Sequence, residues 1–167
     1  MTKIIYQIAC QRIISGGQTG VDRGTLDACL AQRFPCGGWC PRGRLAEDGE
    51  IDLKYPLRET KDRNYGTRTR KNVQDSDGTL IISQGKLTGG TLLTYQFAKE
   101  RNKPTLVVSP TESDFEEIIF TIIQWLKENQ IKILNVAGPR DSEWKQGFHS
   151  SFQIISSLII KINQSIK

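Results

Sequence analysis

The sequence contains a single histidine, His149, and its four cysteines all lie in the first quarter of the chain. The cysteines have no second pair and no histidine at zinc-site spacing, so we expect reduced thiols and no metal site made by the protein. No apolar run is long enough to span a bilayer. The short apolar segment before Gln7 and Arg12 only weakly resembles a signal peptide, and we expect a cytoplasmic protein without membrane contact.

The composition is typical of one soluble globular domain, with 167 residues of which 37% are hydrophobic and 25% charged. We expect an N-terminal extension over residues 1–11 and a single domain over residues 12–167. The net charge of +5 raises the question of nucleic acid. Many arginines lie beside glycine-rich turns and not in a basic stripe with aromatics, which favours a compact phosphorylated ligand over nucleic acid. Solvated surface charge is the alternative for each arginine.

Short β-branched runs alternate with amphipathic stretches along the chain. Asp114, a typical N-cap residue, precedes a stretch whose isoleucines share one helical face. This alternation indicates an α/β fold, a doubly wound and mainly parallel sheet with helices on both faces. The C-terminal apolar stripe is interpreted as core, with an oligomer interface as the alternative. The predicted strands are 12–14, 79–83, 104–108 and 132–136, with another that ends near Gly37, and the predicted helices are 21–33, 61–75, a segment that ends near Glu100, 115–127 and 148–163.

The run Ser15-Gly16-Gly17-Gln18-Thr19-Gly20-Val21-Asp22 lies between a predicted strand and a predicted helix. Free backbone N–H groups in such a turn, beside the positive end of the helix dipole, are typical of an anion site, usually for phosphate. No Gly-Lys-Ser/Thr follows and the pattern is not Gly-x-Gly-x-x-Gly, so neither ATPase chemistry nor ordinary dinucleotide binding is indicated. A turn that only reverses the chain is the alternative interpretation.

Three further glycine-rich segments follow predicted strands, at 37–43, 83–91 and 138–140. The carboxyl ends of parallel strands lie on one edge of a sheet, where ligands bind. We therefore expect one cleft lined by all four segments, with arginines that match pairs of phosphate oxygens. The residues predicted to bind the ligand are Ser15, Gly16, Gly17, Gln18, Thr19, Asp22, Arg23, Gly38, Trp39, Arg42, Arg44, Thr88, Gly89, Gly90, Thr91, Gly138 and Arg140.

Several side chains near these turns have more than one interpretation. Asp22 could cap the first helix, bind a hydrogen-bond donor of the ligand or act as a base, and capping is favoured. Trp39 could stack on a heterocycle or be structural. Cys36 and Cys40 are expected to be packing residues, and His149 is expected to be incidental to the site.

Six motifs extend over most of the chain: Ser-Gly-Gly-Gln-Thr-Gly-Val-Asp (15–22), Gly-Gly-Trp-Cys-Pro-Arg-Gly-Arg-x-Ala-Glu-Asp-Gly (37–49), Tyr-Pro-Leu (55–57), Arg-Thr-x-x-Asn-Val-x-Asp-Ser-Asp (68–77), Leu-Thr-Gly-Gly-Thr (87–91) and Asn-Val-Ala-Gly-Pro-Arg (135–140). Together they resemble the molybdenum carrier family. That family is similar to a Rossmann-like group of molybdenum cofactor carriers, lysine-decarboxylase-like proteins and nucleotide-sensing domains. The resemblance implies a Rossmann-like homo-oligomer, a dimer or tetramer, that holds a phosphate-bearing pterin such as molybdenum cofactor (molybdopterin), or otherwise a nucleotide.

One position departs from the wider group. The lysine-decarboxylase-like phosphoribohydrolases use Pro-Gly-Gly-x-Gly-Thr-x-x-Glu, in which the glutamate is catalytic, and Thr94 stands at that position here. A threonine cannot act as a carboxylate base, so we expect a binding protein without catalytic residues. The alternatives are a nucleotide hydrolase that uses Asp22 or Glu47 with water, and a nucleotide-sensing module.

Overall fold

The computed structural model describes residues 7–165. Of the predicted N-terminal extension, residues 1–6 lie outside the described residues, and residues 7–11 form neither a helix nor a strand. The helices are α1 (Val21–Ala31), α2 (Tyr65–Gln74), α3 (Gly89–Glu100), α4 (Phe115–Glu128) and α5 (Gly147–Ser165). The strands are β1 (Arg12–Ile14), β2 (Cys36–Gly37), β3 (Trp39–Cys40), β4 (Leu45–Ala46), β5 (Gly49–Glu50), β6 (Arg58–Glu59), β7 (Gly78–Ile82), β8 (Thr105–Val108) and β9 (Ile133–Ala137).

Five strands form a central parallel sheet in the order β2-β1-β9-β7-β8. The first and last strands of this sheet in chain order are neighbours, with Ile13 paired to Leu134. Leu80 and Ile82 on β7 point into the core shared with α1, α4 and α5. Ile81 between them points to the other face, on the side of the α2–α3 pair, because side chains alternate along a strand. The α/β Rossmann-like fold predicted from the sequence is confirmed.

The C-terminal helix contributes its apolar stripe to the main core. Ile155, Ile159 and Ile162 are completely buried there, and Phe152 packs against the same cluster. The interpretation of this stripe as core is therefore confirmed.

The helix boundaries follow the capping residues. The side chain of Asp114 accepts a hydrogen bond from Glu116 N, as predicted for an N-cap. The helix predicted to begin at Lys61 begins at Tyr65, because the side chain of Asn64 accepts a hydrogen bond from Gly66 N and caps the helix there.

The segment between β2 and α2, which the sequence predicts as a long ordered loop, contains four short strands. Its centre is Arg44, which is buried. The guanidinium of Arg44 donates hydrogen bonds to the carbonyl oxygens of four residues across the segment, at 2.8–3.2 Å: Ile51, Asp52, Tyr55 and Leu57.

The packing of α1 on α5 predicts the effect of a methyl group at Gly24. A Cβ atom there would lie 2.2 Å from the carbonyl oxygen of Phe148 and 2.2 Å from Ser151 Oγ. We expect Gly24→Ala to lower the free energy of unfolding by about 1–3 kcal/mol through overpacking, despite the better helix propensity of alanine. Urea denaturation measures the change. Gly90→Ala is the matched control, because a Cβ atom at Gly90 meets nothing within 4 Å, and equal midpoints for the two variants would contradict the expectation.

Candidate functional site

A cleft opens at the carboxyl edge of the sheet, where the loops after β1 and β9 meet the first turn of α3. Its enclosed volume is about 120 Å³, below the roughly 300 Å³ at which small-molecule pockets usually begin. The cleft is therefore too small to enclose a whole ligand of that class. It is lined by Gln18, Asp22, Tyr65, Arg68, Thr69, Gly90, Thr91, Leu93, Thr94, Ala137, Gly138, Arg140 and Glu143.

A buried carboxylate lies at the bottom of the glycine-rich run after β1. Asp22 Oδ2 accepts hydrogen bonds from Gln18 N at 3.1 Å and from the Arg68 guanidinium at 3.3 Å. The guanidinium covers Gly16, since a Cβ atom on that glycine would lie 1.7 Å from Arg68 Nη1. The N-cap residue of α1 is Gly20, with no side-chain cap. The preferred interpretation of Asp22 as a helix cap is therefore wrong, and its carboxylate is part of the cleft.

Burial raises the pKa of Asp22, and the charge of Arg68 together with the hydrogen bonds donated by Gln18 N and Arg68 oppose that rise. Arg68 Nε is itself buried without a hydrogen-bond partner in the described part of the chain. A carboxyl group with a raised pKa in a cleft is typical of functional sites.

A second carboxylate, Glu47, joins the two loops. It accepts hydrogen bonds from the Thr19 hydroxyl in the loop after β1, and from Ser142 N at 3.1 Å and Ser142 Oγ at 2.5 Å in the loop after β9. The backbone N–H of Glu47 donates to Gln18 Oε1 at 2.9 Å. Burial disfavours ionisation of Glu47. The hydrogen bonds that its carboxylate accepts from Thr19 and Ser142, together with the nearby Arg140, outweigh this effect and hold its pKa below the ordinary value.

The first turn of α3 offers backbone donors to the cleft. Thr88 is its N-cap residue but makes no side-chain capping bond. The N–H groups at the start of a helix have no partner within the helix, and they carry the positive end of its dipole. Gly90 and Thr91 from this turn line the cleft, and so does Thr94, whose hydroxyl donates to the carbonyl oxygen of Gly90 at 2.8 Å.

Arg140 is the most available cation of the cleft, with 42% of its side chain exposed. Its Nε lies 3.7 Å from Glu47 Oε2 and 3.5 Å from Glu143 Oε1. Its guanidinium is thus near two carboxylates and still partly open to solvent.

Only part of the predicted set of ligand-binding residues lines the cleft: Gln18, Asp22, Gly90, Thr91, Gly138 and Arg140. Gly16 lies under the Arg68 guanidinium, Gly89 lies next to Glu143, and Thr88 is exposed at the start of α3. The remaining residues of the first run shape the loop: Gly17 has a φ of +78°, Ser15 Oγ donates to Val136 O at 2.7 Å, and Thr19 bonds Glu47. Arg23 is paired with Asp48, to which its guanidinium donates two hydrogen bonds of 2.7 and 2.9 Å.

The segment after β2 does not line this cleft. Gly38 and Trp39 border a different cavity, and Arg42 is exposed. The guanidinium of Arg44 donates its hydrogen bonds to backbone carbonyl oxygens. The expectation that all four glycine-rich segments share one cleft is therefore wrong for this segment.

Sequence reasoning missed the contribution of α2, which brings Tyr65, Arg68 and Thr69 to the cleft, and it missed Glu143. Arg68 and Thr69 begin one of the six motifs, and this position in a motif is the feature of the sequence that could have indicated their place in the cleft. In the described ranges no three His, Cys, Asp or Glu side chains form a set that could hold a metal ion, and all four cysteines are free. No helix described is long and apolar enough to cross a bilayer.

Comparisons with known proteins agree with this architecture. The sequence profile of the circularly permutated YpsA SLOG family matches residues 13–159. A solved structure, described as a putative molybdenum carrier protein from Syntrophus aciditrophicus SB, is 42% identical, with a TM-score of 0.88. The alignment covers 90% of this chain and 96% of that one. No curated protein matches the sequence.

The bonds of Glu47 predict a pH-dependent contribution to stability. A carboxylate whose folded pKa is lowered stabilises the fold above its unfolded pKa, and this stabilisation is lost as the pH falls through the folded pKa. We expect Glu47→Gln to lower the free energy of unfolding by about 1–2 kcal/mol at pH 7, with the difference from the unmodified protein closing in acid. Urea midpoints measured from pH 7 down to pH 3 test this. Glu50→Gln, at an exposed position, should change little, and a Glu47→Gln difference independent of pH would refute the role of the charge.

Proposed function

The chain belongs to the circularly permutated YpsA SLOG family, and on that premise we propose that it is a non-catalytic binding protein for a small phosphorylated heterocycle, a pterin or a nucleotide. The observation that carries the proposal is the combination, in one cleft, of uncapped helix N–H groups with a buried carboxylate. The helix N–H groups suit a phosphate. The buried carboxylate suits the edge of a heterocycle that carries N–H donors.

The phosphate end of the ligand is assigned to α3 and Arg140. Backbone N–H groups at a helix N-terminus bind phosphate through hydrogen bonds and the helix dipole. The terminal amino groups of Arg140 add a charged donor pair that matches two phosphate oxygens. The enclosed volume of about 120 Å³ is consistent with one group of the ligand held inside and the rest at the open rim.

The heterocycle end is assigned to Asp22, and Glu143 is a further carboxylate in the lining of the same cleft. The guanidiniums of Arg68 and Arg140 are faced by the carboxylates of Asp22, Glu47 and Glu143, so the cleft carries no excess positive charge. Bare phosphate would gain little there from charge alone. A pterin or purine also presents N–H donors, for which a carboxylate is the complementary acceptor. The charge balance therefore favours a ligand with both kinds of group.

Molybdenum cofactor is the specific ligand that we propose first, because the 42% identical solved structure is described as a molybdenum carrier. The dithiolene of that pterin supplies the metal ligands, so the protein needs to bind only the phosphate and the pterin edge. Gly90, Thr91 and Arg140 would hold the phosphate, and Asp22 would hold the pterin edge.

The test is co-purification. We expect protein expressed in a host that makes molybdenum cofactor to carry molybdenum by elemental mass spectrometry, and oxidised pterin by fluorescence. Arg140→Gln should lower both at least about tenfold, as loss of a charged hydrogen bond does. Arg58→Gln, a charge-matched change outside the cleft, should lower neither. Purified protein that contains neither metal nor pterin would contradict the carrier role.

A nucleotide hydrolase is the second candidate, and it is favoured by one observation, the raised pKa of buried Asp22. A carboxyl group whose pKa is raised holds its proton more readily than an ordinary one, which suits a general acid or base. Incubation with nucleoside monophosphates and ADP-ribose, followed by chromatography, separates the candidates. Product formation that is lost in Asp22→Asn would establish the hydrolase, whereas binding without products is expected for the carrier. The homo-oligomeric state and the cytoplasmic location stay predictions.

A further inference from the structure

A second cavity lies at the opposite end of α2 from the cleft and shares no lining residue with it. We call it the arginine cavity, after Arg12 and Arg58 on its rim. Its volume is about 310 Å³, within the range of small-molecule sites. Gly38, Trp39 and Pro56, which do not line the cleft, also line it.

The rim of the arginine cavity carries two guanidiniums that have no ion-pair partner among residues 7–165. Arg12 and Arg58 are both exposed, and neither guanidinium makes a hydrogen bond or a salt bridge within residues 7–165. The lining contains one carboxylate, Asp75, which accepts a hydrogen bond from Trp39 Nε1 at 2.8 Å. Lys71 adds a further cation, with its ammonium 4.5 Å from the centre of the Trp39 ring. Two unpaired guanidiniums beside one cavity match a carboxylate or a phosphate.

Part of the lining of the arginine cavity is apolar. Ile14 and Ile133, on adjacent strands of the central sheet, line it together with Pro56. The Trp39 indole is half-buried and fixed at both ends. Its ring N–H bonds Asp75, and its backbone exchanges two bonds with the Asn72 side chain, at 2.8 and 3.0 Å. A wall held in place before binding loses little entropy when a ligand packs against it.

We propose that the arginine cavity is a second binding site, for a small organic anion with a planar apolar body and one carboxylate or phosphate group. The anionic group lies between Arg12 and Arg58, and the body lies against Ile14, Ile133 and Trp39. The proposal is independent of the function assigned to the cleft, since no residue is shared.

The experiment uses benzoate and phenyl phosphate as probes and the indole N–H of Trp39 as the reporter. The signal is assigned in ¹H–¹⁵N spectra of the whole chain by its loss in Trp39→Phe. We expect a saturable shift of this signal with at least one probe, and none with benzyl alcohol, a neutral compound of similar shape. Arg12→Gln and Arg58→Gln should each weaken the binding about tenfold or more.

Arg140→Gln is the control, because it removes the same charge from the cleft and should leave the Trp39 titration unchanged. Both rim arginines are exposed, so their variants are expected to keep the dispersed spectrum of the folded protein. Three outcomes would each overturn the proposal: no saturable shift with either anion, equal binding of benzyl alcohol, or unchanged affinity in both rim variants.

Discussion

The ion pair between Asp22 and Arg68 is the interaction on which the arrangement of the cleft depends. A buried carboxylate is costly unless a partner charge and hydrogen bonds compensate it, and here Arg68 and the N–H of Gln18 do so. The pair draws α2 against the loop after β1, and it requires glycine at position 16, because a side chain there would occupy the place of the guanidinium. The glycine-rich run is therefore shaped around an anion that belongs to the protein, the Asp22 carboxylate.

The sequence was sufficient to predict the fold, but it predicted only part of the candidate site. Hydrophobic periodicity and the N-cap at Asp114 located the main strands and helices, and the family resemblance is confirmed. The start of α2 was misplaced because Lys61 and Tyr65 both fit a polar helix, and only the hydrogen bond that Asn64 Oδ1 accepts from Gly66 N decides between them. The fate of Arg44 could not be predicted, because its acceptors are backbone carbonyls brought together by the folded segment.

Charge is distributed differently at the two ends of α2. At the end near Arg68, each guanidinium of the cleft faces a carboxylate, so the binding proposed there depends on the direction of individual hydrogen bonds. At the end near Asp75, the two guanidiniums of the arginine cavity have no carboxylate partner among the described residues. Salt should therefore screen an anion at the arginine cavity more than at the cleft, since Arg12 and Arg58 are exposed whereas Arg68 is mostly buried and already paired.

The segment before β1 also has a consequence for where the chain can be shortened. Ile8 and Cys10 are buried in the main core, and Gln11 N bonds the carbonyl oxygen of Lys132. Burial raises the pKa of the Cys10 thiol to about 12, so it stays protonated and packs as an apolar group. A fragment cut at Arg12 would leave a hole where these side chains lie, and the loss of one buried isoleucine alone costs about 2–5 kcal/mol. The folding unit thus begins upstream of the first strand, and a trimmed version must retain Ile8.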